Sequence, residues 1–174
     1  WLRELTSLAL LPDTGCVGAL LLYENGTVQH AGVTLGIGAV AGHAFRHARP
    51  DKFLADPRLR VRREVSAVTG ACLAIRSVVF DTIGGFDEAL PVALNDVDLC
   101  LRLRSAGYRN LFTPHACLLH HESTTRGPDV TRARIRRLQR ETALFFEMHG
   151  IEIVDDPYYS PHLSRDGEDF RLRV

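Results

Sequence analysis

Thr69-Gly70-Ala71-Cys72, then Gly84-Gly85-Phe86-Asp87-Glu88, then Asn95-Asp96-Val97-Asp98-Leu99-Cys100-Leu101-Arg102-Leu103 follow one another in the middle of the chain. Pro114-His115-Ala116, His120-His121-Glu122-Ser123 and Thr125-Arg126-Gly127 come next. Read locally, Asn95 is an N-cap, and Asp96 and Asp98 suit a helix first turn, where free N–H groups and the helix dipole favour carboxylates. Val97, Cys100, Leu101 and Ala106 supply an apolar stripe, and Gly107 ends the helix. Upstream, Val65 to Ile75 is an apolar strand region interrupted at Thr69-Gly70. Arg76 to Ile83 follows as a short helix that Gly84-Gly85 stops. Downstream, Arg109 to Thr113 and Cys117 to His120 read as two short strands flanking Pro114.

Working outward, Cys16 to Tyr23 is an unbroken apolar run, as in a buried strand. Asn25-Gly26 is a turn signal, and Val28 to His30 returns as the hairpin partner. Val33 to Ala41 is Gly-rich and reads as a strand edge or a loop. His43 to Arg63 is a long, charged connection with one short helical piece. Helical spacing predicts a helix over Trp1–Leu11 and the longest helix over Val130–His149. The class is α/β. Residues 1–154 form one unit, and 155–174 an irregular tail draped over it.

The chain has 174 residues, 45% hydrophobic and 24% charged, with 21 basic and 21 acidic side chains. A formal charge of zero gives no footprint for nucleic acid. Two local basic clusters stand out, one at Arg58, Arg60, Arg62 and Arg63, the other from Arg132 to Arg140. The ordinary reading of such a run is a solvated face. The alternative is contact with an anionic glycolipid or membrane surface. No apolar run reaches the roughly 18–20 residues of a membrane span, and no secretory signal is visible. Cys16, Cys72, Cys100 and Cys117 form no Cys-x-x-Cys pair, which argues against a zinc domain built on that spacing. Each lies in an apolar run, as buried free thiols do.

The quoted motifs, with Asn25-Gly26-Thr27-Val28-Gln29-His30-Ala31-Gly32 upstream and Asp156-Pro157-Tyr158-Tyr159-Ser160-Pro161 downstream, resemble the acceptor-side half of a family 2 glycosyltransferase, an inverting enzyme of GT-A fold. The resemblance covers nearly the whole chain. It implies a partial GT-A fold, a mixed sheet with flanking helices, in which the nucleotide-binding N-terminal half is absent. It implies transfer of a sugar from a nucleotide-sugar donor to a glycan or lipid-linked acceptor in bacterial surface polysaccharide synthesis. The implied location is cytoplasmic, at the inner face of the plasma membrane with peripheral association.

Such transfer needs a base for the acceptor hydroxyl, charge neutralisation at the leaving diphosphate, and exclusion of water. The resemblance makes Asp96 the catalytic base, although Asn95 stands where the family's motif has an acid. It makes His120 the ligand that completes a divalent cation site for Mn²⁺ or Mg²⁺, with His121 as the fallback. Imidazole suits Mn²⁺ better than Mg²⁺. Ser123 and Arg126 fall to the diphosphate, since guanidinium pairs well with phosphate oxygens. Thr69, Gly70, Ala71, Asp87, Glu88 and Asp98 fall to the substrate side, Asp98 also being the alternative base. His30 and His43 read as structural or loop contacts. Against each role stands a plainer one: a helix cap for Asp96 and Asp98, a surface His pair, a salt bridge for Arg126, a strand bulge at Gly70. The competing function is a non-catalytic carbohydrate-binding or scaffold module derived from the same fold.

Overall fold

In a computed structural model of the protein, residues 1–49, 51, 55–121 and 131–173 are described. The longest apolar run becomes the central strand β1, Thr14–Leu22, buried over all but its last residue. Its hairpin partner β2, Val28–His30, pairs antiparallel to it (Leu21 opposite His30), across a turn in which Gly26 takes φ 77°. Asn25 holds that turn, its Oδ1 accepting from the Thr27 N–H at 3.0 Å. The Gly-rich segment folds as a second hairpin, β3 (Val33–Leu35) on β4 (Ala41–His43). β5 (Arg63–Val65) and β6 (Leu73–Ala74) flank the Thr69-Gly70 break.

The two strands expected around Pro114 are one, β7, Arg109–Leu119. It runs parallel to β1, and the register jumps from Ala19–Thr113 to Leu20–Cys117. Pro114, which has no N–H to give a ladder, therefore sits in a bulge with His115 and Ala116 instead of ending the strand. The main sheet has the order β2-β1-β7-β5, with β6 antiparallel on β1. This mixed sheet with flanking helices is the architecture of part of a GT-A fold.

α1 (Leu2–Ala9) buries Leu5 and Ala9 against one cluster with Val17, Ala19, Leu21 and Leu111. α2 (Ser77–Ile83) stops at Gly84, whose φ is 83°. α3 (Asn95–Ser105) carries the second, larger cluster through Val97, Leu99, Cys100, Leu101 and Leu103. Its N-cap is Leu94, not Asn95, and Leu94 adopts φ 63° with no side-chain cap bond. α4 (Arg132–Val154) runs five residues beyond the periodicity that predicts it. Among the described residues, no helix is long and apolar enough to cross a membrane.

Two buried contacts place the segment between β5 and β6. Asn110 of β7 is fully buried; its amide donates to the carbonyls of Ser66 (3.1 Å) and Cys100 (2.8 Å) and accepts from the Cys16 N–H (3.2 Å). It thus ties β1, α3 and the 66–68 segment to one point. Gly18 of β1 lies so close to Val68 that a Cβ there would stand 2.6 Å from two Val68 carbons. Glycine is what lets Val68 approach the sheet, and so sets where Thr69 and Gly70 emerge.

The first basic cluster is largely committed within the chain instead of forming a solvated face. Arg58 stacks on Phe45 and Phe170 and pairs with Asp56 at 2.7 Å. Arg62 pairs with Glu4 at 2.7 Å, and Arg63 lies over Phe112 while donating to the Ala31 carbonyl. The tail is docked as well as irregular. Buried Asp156 accepts from the Leu35 N–H at 2.7 Å, and Phe170 stacks on Phe45 at 4.3 Å. All four cysteines are free, and Cys117 is exposed, contrary to the buried thiol that its apolar run predicts.

Candidate active site

The break after Val68 stands between two features. On one side is Asp96, in the first turn of α3. Its Oδ2 accepts from the Gly70 N–H at 2.8 Å, and its Oδ1 from the Val97 N–H at 2.9 Å. Each oxygen keeps a further lone pair, since a carboxylate offers about four acceptor sites. Leu94, left-handed and bulky, sets the entry of this helix. Such strained backbone clusters at functional sites.

On the other side is a cavity of about 120 Å³ lined by Tyr23, Gln29, His30, His43, Arg46, Thr69 and His120. Thr69, Gly70, Asp96 and His120 are thus brought to one end of the molecule, joined through the Thr69-Gly70 peptide. Ala71 continues the turn, its N–H donating to the Thr69 hydroxyl at 3.3 Å. His120 continues the parallel ladder, its N–H donating to the Leu22 carbonyl at 3.0 Å. The alternation of side chains along a strand then sends His121 the other way, to an exposed contact with Glu24 at 2.5 Å.

Sequence reasoning passes over His30 and His43, yet both lie on the cavity wall. His30 Nε2 accepts from the Gly32 N–H (3.2 Å) and the Thr69 N–H (3.4 Å), so that nitrogen carries no proton. Its proton is then on Nδ1, which donates to His43 Nδ1 at 2.9 Å. Burial above all, then His43 and Arg63, push the His30 pKa well below the usual histidine value. His30 therefore stays neutral while an unfolded chain takes up a proton below about pH 6.5. The unfolded state binds more protons there, so stability rises with pH across the window below that value. We expect the unfolding free energy read from urea curves to fall as pH drops from 7 to 5, by up to about 1.4 kcal/mol per pH unit from this group. His30→Gln, which keeps an acceptor, should flatten that slope; equal slopes in both proteins would refute it.

Among the described residues, the remaining candidates are not gathered at the cavity. Asp98 is fully buried, with Oδ2 taken by Arg102 (2.9 and 2.7 Å) and Oδ1 by His149 (2.8 Å). That carboxylate has no face left for a substrate. Asp87 is half-buried in its own turn, accepting from the Ala89 N–H at 2.8 Å, and Glu88 is exposed. Ser123 and Arg126 lie outside the described residues. No group of three His, Cys, Asp or Glu side chains among the described residues is placed to hold a metal ion. His120 offers one imidazole, and further ligands would have to come from elsewhere.

Known proteins share this sequence pattern. An uncharacterized protein, y4gI, of Sinorhizobium fredii is 44% identical over 173 residues, covering 99% of this chain and 19% of its own length. The O-antigen biosynthesis protein RfbC of Myxococcus xanthus is 40% identical over 175 residues, 99% of this chain and 13% of its own length. An N-acetylglucosaminyl-diphospho-decaprenol L-rhamnosyltransferase of Mycobacterium tuberculosis is 31% identical over 125 residues, 68% of this chain and 41% of its own length. The chain therefore spans less than half of each of these relatives. Residues 2–143, which hold Thr69, Asp96 and His120, match the family model described as glycosyltransferase like family 2. The chain belongs to that family.

Proposed function

We propose that this chain is the acceptor-side half of an inverting family 2 glycosyltransferase that builds a bacterial surface polysaccharide. The observation that carries the reading is the Asp96 carboxylate, held by the Gly70 N–H beside the cavity that Thr69 and His120 line. The names of the O-antigen and rhamnosyltransferase relatives support the process. The nucleotide-binding half and its carboxylate ligands would lie in sequence outside this chain.

In this reading Asp96 takes the proton of an acceptor hydroxyl as its oxygen attacks the anomeric carbon. The new C–O bond forms as the bond to the nucleoside diphosphate breaks, and the electron pair leaves with the diphosphate. Gly70 and Val97 hold the carboxylate by N–H donors that leave lone pairs open for that proton. His120 would hold a divalent cation, Mn²⁺ in preference to Mg²⁺, which when bound neutralises charge on the departing diphosphate. Ser123 and Arg126 would meet the same diphosphate, and Thr69, Gly70 and Ala71 would lie beneath the sugar. The acceptor would be a glycan or lipid-linked glycan at the inner membrane face. The exposed arginines Arg132, Arg136 and Arg140 suit its anionic surroundings.

The test is transfer from a panel of nucleotide sugars by the full-length protein, with the anomeric configuration of the product read by NMR. The expected result is an inverted linkage from the full-length protein and no turnover by the isolated 174-residue chain. A retained linkage, or turnover by the isolated chain, would overturn the proposal.

A further inference from the structure

We propose that Gln29 is the positioning residue that fixes His120 in its Nδ1–H form and leaves Nε2 as a bare lone pair at the cavity wall. Gln29 is on β2, 6% exposed, and grips His120 twice. Its Nε2 donates to the His120 carbonyl at 3.3 Å, and its Oε1 stands 2.6 Å from His120 Nδ1. The first contact decides the second. A carbonyl can only accept, so the amide nitrogen faces it and Oε1 faces the ring. Oε1 can only accept in turn, so Nδ1 carries the proton.

A neutral imidazole with its proton on Nδ1 has an unprotonated Nε2. Among the described residues, His120 Nε2 has no hydrogen-bond partner. The other histidines with ring bonds described above use theirs differently, His43 meeting the His30 ring and His149 the Asp98 carboxylate. His30 spends Nε2 on two backbone N–H groups, and His121 meets Glu24. His120 thus brings to the cavity wall a ring whose Nε2, unprotonated in this tautomer, is a Lewis base. An outer partner that fixes the tautomer of a histidine ligand through its other nitrogen is how proteins aim imidazoles at divalent cations. That the lone pair serves a metal rests on the proposed function. That Gln29 sets the tautomer does not.

Nitrogen NMR of the ¹⁵N-labelled chain, without metal and above the titration range of histidine, reads the tautomer directly. The expected result is a pyrrole-type Nδ1 and a pyridine-type Nε2 for His120. Gln29→Met, similar in size but without the acceptor, should move His120 toward the Nε2–H form, while Gln29→Glu, which keeps an acceptor, should restore Nδ1–H. A circular dichroism spectrum matching wild type shows that each variant is folded, and the pair of variants guards against one failing to fold. An Nε2–H form in the wild type, or an unchanged tautomer in folded Gln29→Met, would overturn the proposal. Mn²⁺ titrated into the full-length protein separates the two readings. Broadening of His120 that weakens in Gln29→Met supports both. No broadening, with the tautomer responding as described, upholds Gln29 and removes His120 from the proposed metal site.

Discussion

If Asp96 is the base proposed above, Asp96→Asn in the full-length protein should lower kcat by about 10²–10⁴-fold, the contribution of a positioned general base. Donor affinity should change little. An asparagine has the same shape, and its Oδ1 can still accept from the Gly70 N–H that now meets Asp96 at 2.8 Å. What it cannot do is take up a proton at the acceptor hydroxyl. It also gives up one of the two N–H contacts, because its NH₂ group would face the Val97 N–H. That loss is local to the first turn of α3 and should cost about 1 kcal/mol of stability. The measurement is kcat and donor KM at saturating metal, beside a urea unfolding curve. Activity within a few-fold of wild type would remove Asp96 as the base. Asp98 could not then inherit the role, since both its oxygens are already occupied.

Asp98→Ala should cost stability, about 3–5 kcal/mol, the range seen when one partner of a buried ion pair is removed. The carboxylate is fully buried, and Arg102 is 25% exposed. Arg102 also donates to the carbonyls of Ile83 (2.8 Å) and Gly85 (2.7 Å), so Asp98 orients the group that ties α3 to the end of α2. Through His149 it also ties α3 to α4. A domain holds only about 5–15 kcal/mol in total, so this variant should unfold at markedly lower urea. Burial pushes the Asp98 pKa up, but the bonds from His149 and Arg102 outweigh it and hold the carboxyl below the usual range. Its stabilisation is therefore present above about pH 3.9, the unfolded value, and lost as pH falls through the lower folded value. The acid limb of the wild-type stability curve should be shallower in Asp98→Ala. An unchanged urea midpoint at pH 7 would remove Asp98 from this role.

The contrast between Asp96 and Asp98 shows what a sequence can and cannot yield here. Two residues two apart on a helix do not share a face, so one aspartate at most could look toward a common site. Spacing alone does not say which. The choice is made by Gly70 and His149, which are distant in sequence, together with Arg102 one turn along the same helix. Local signals were legible wherever short-range chemistry decided the outcome: the Asn25-Gly26 turn, the stop at Gly84, the extent of α3. The hairpin partner β2 was legible too, but the parallel partner β7 was not, because an apolar run specifies burial and leaves the neighbour on its other edge open. Leu94 as the left-handed N-cap was also hidden, since Asn95 is the better cap by propensity and tertiary packing overrides it. The His30–His43 pair becomes visible once β3 and β4 fold back, which carries His43 over the end of β2. Gln29 escaped for a similar reason, its partner His120 lying 91 positions away.

The parallel pairing of β1 with β7 also sets an order of events at the ribosome. Thr14 meets Arg109, so about 95 residues must emerge between the two partners, a loop whose closure is entropically costly. At about 5–20 residues per second, that is roughly 5–20 s of synthesis, whereas a hairpin such as β1–β2 forms in about 1–10 μs. During that interval β2 covers one edge of β1 and the other edge stands open, lined by the most apolar stretch of the chain. An open apolar edge is a template for pairing with a neighbouring nascent chain. Arrest before β7 should therefore leave an aggregation-prone hairpin, and the cavity behind His120 cannot exist until the last residues of β7 have been made.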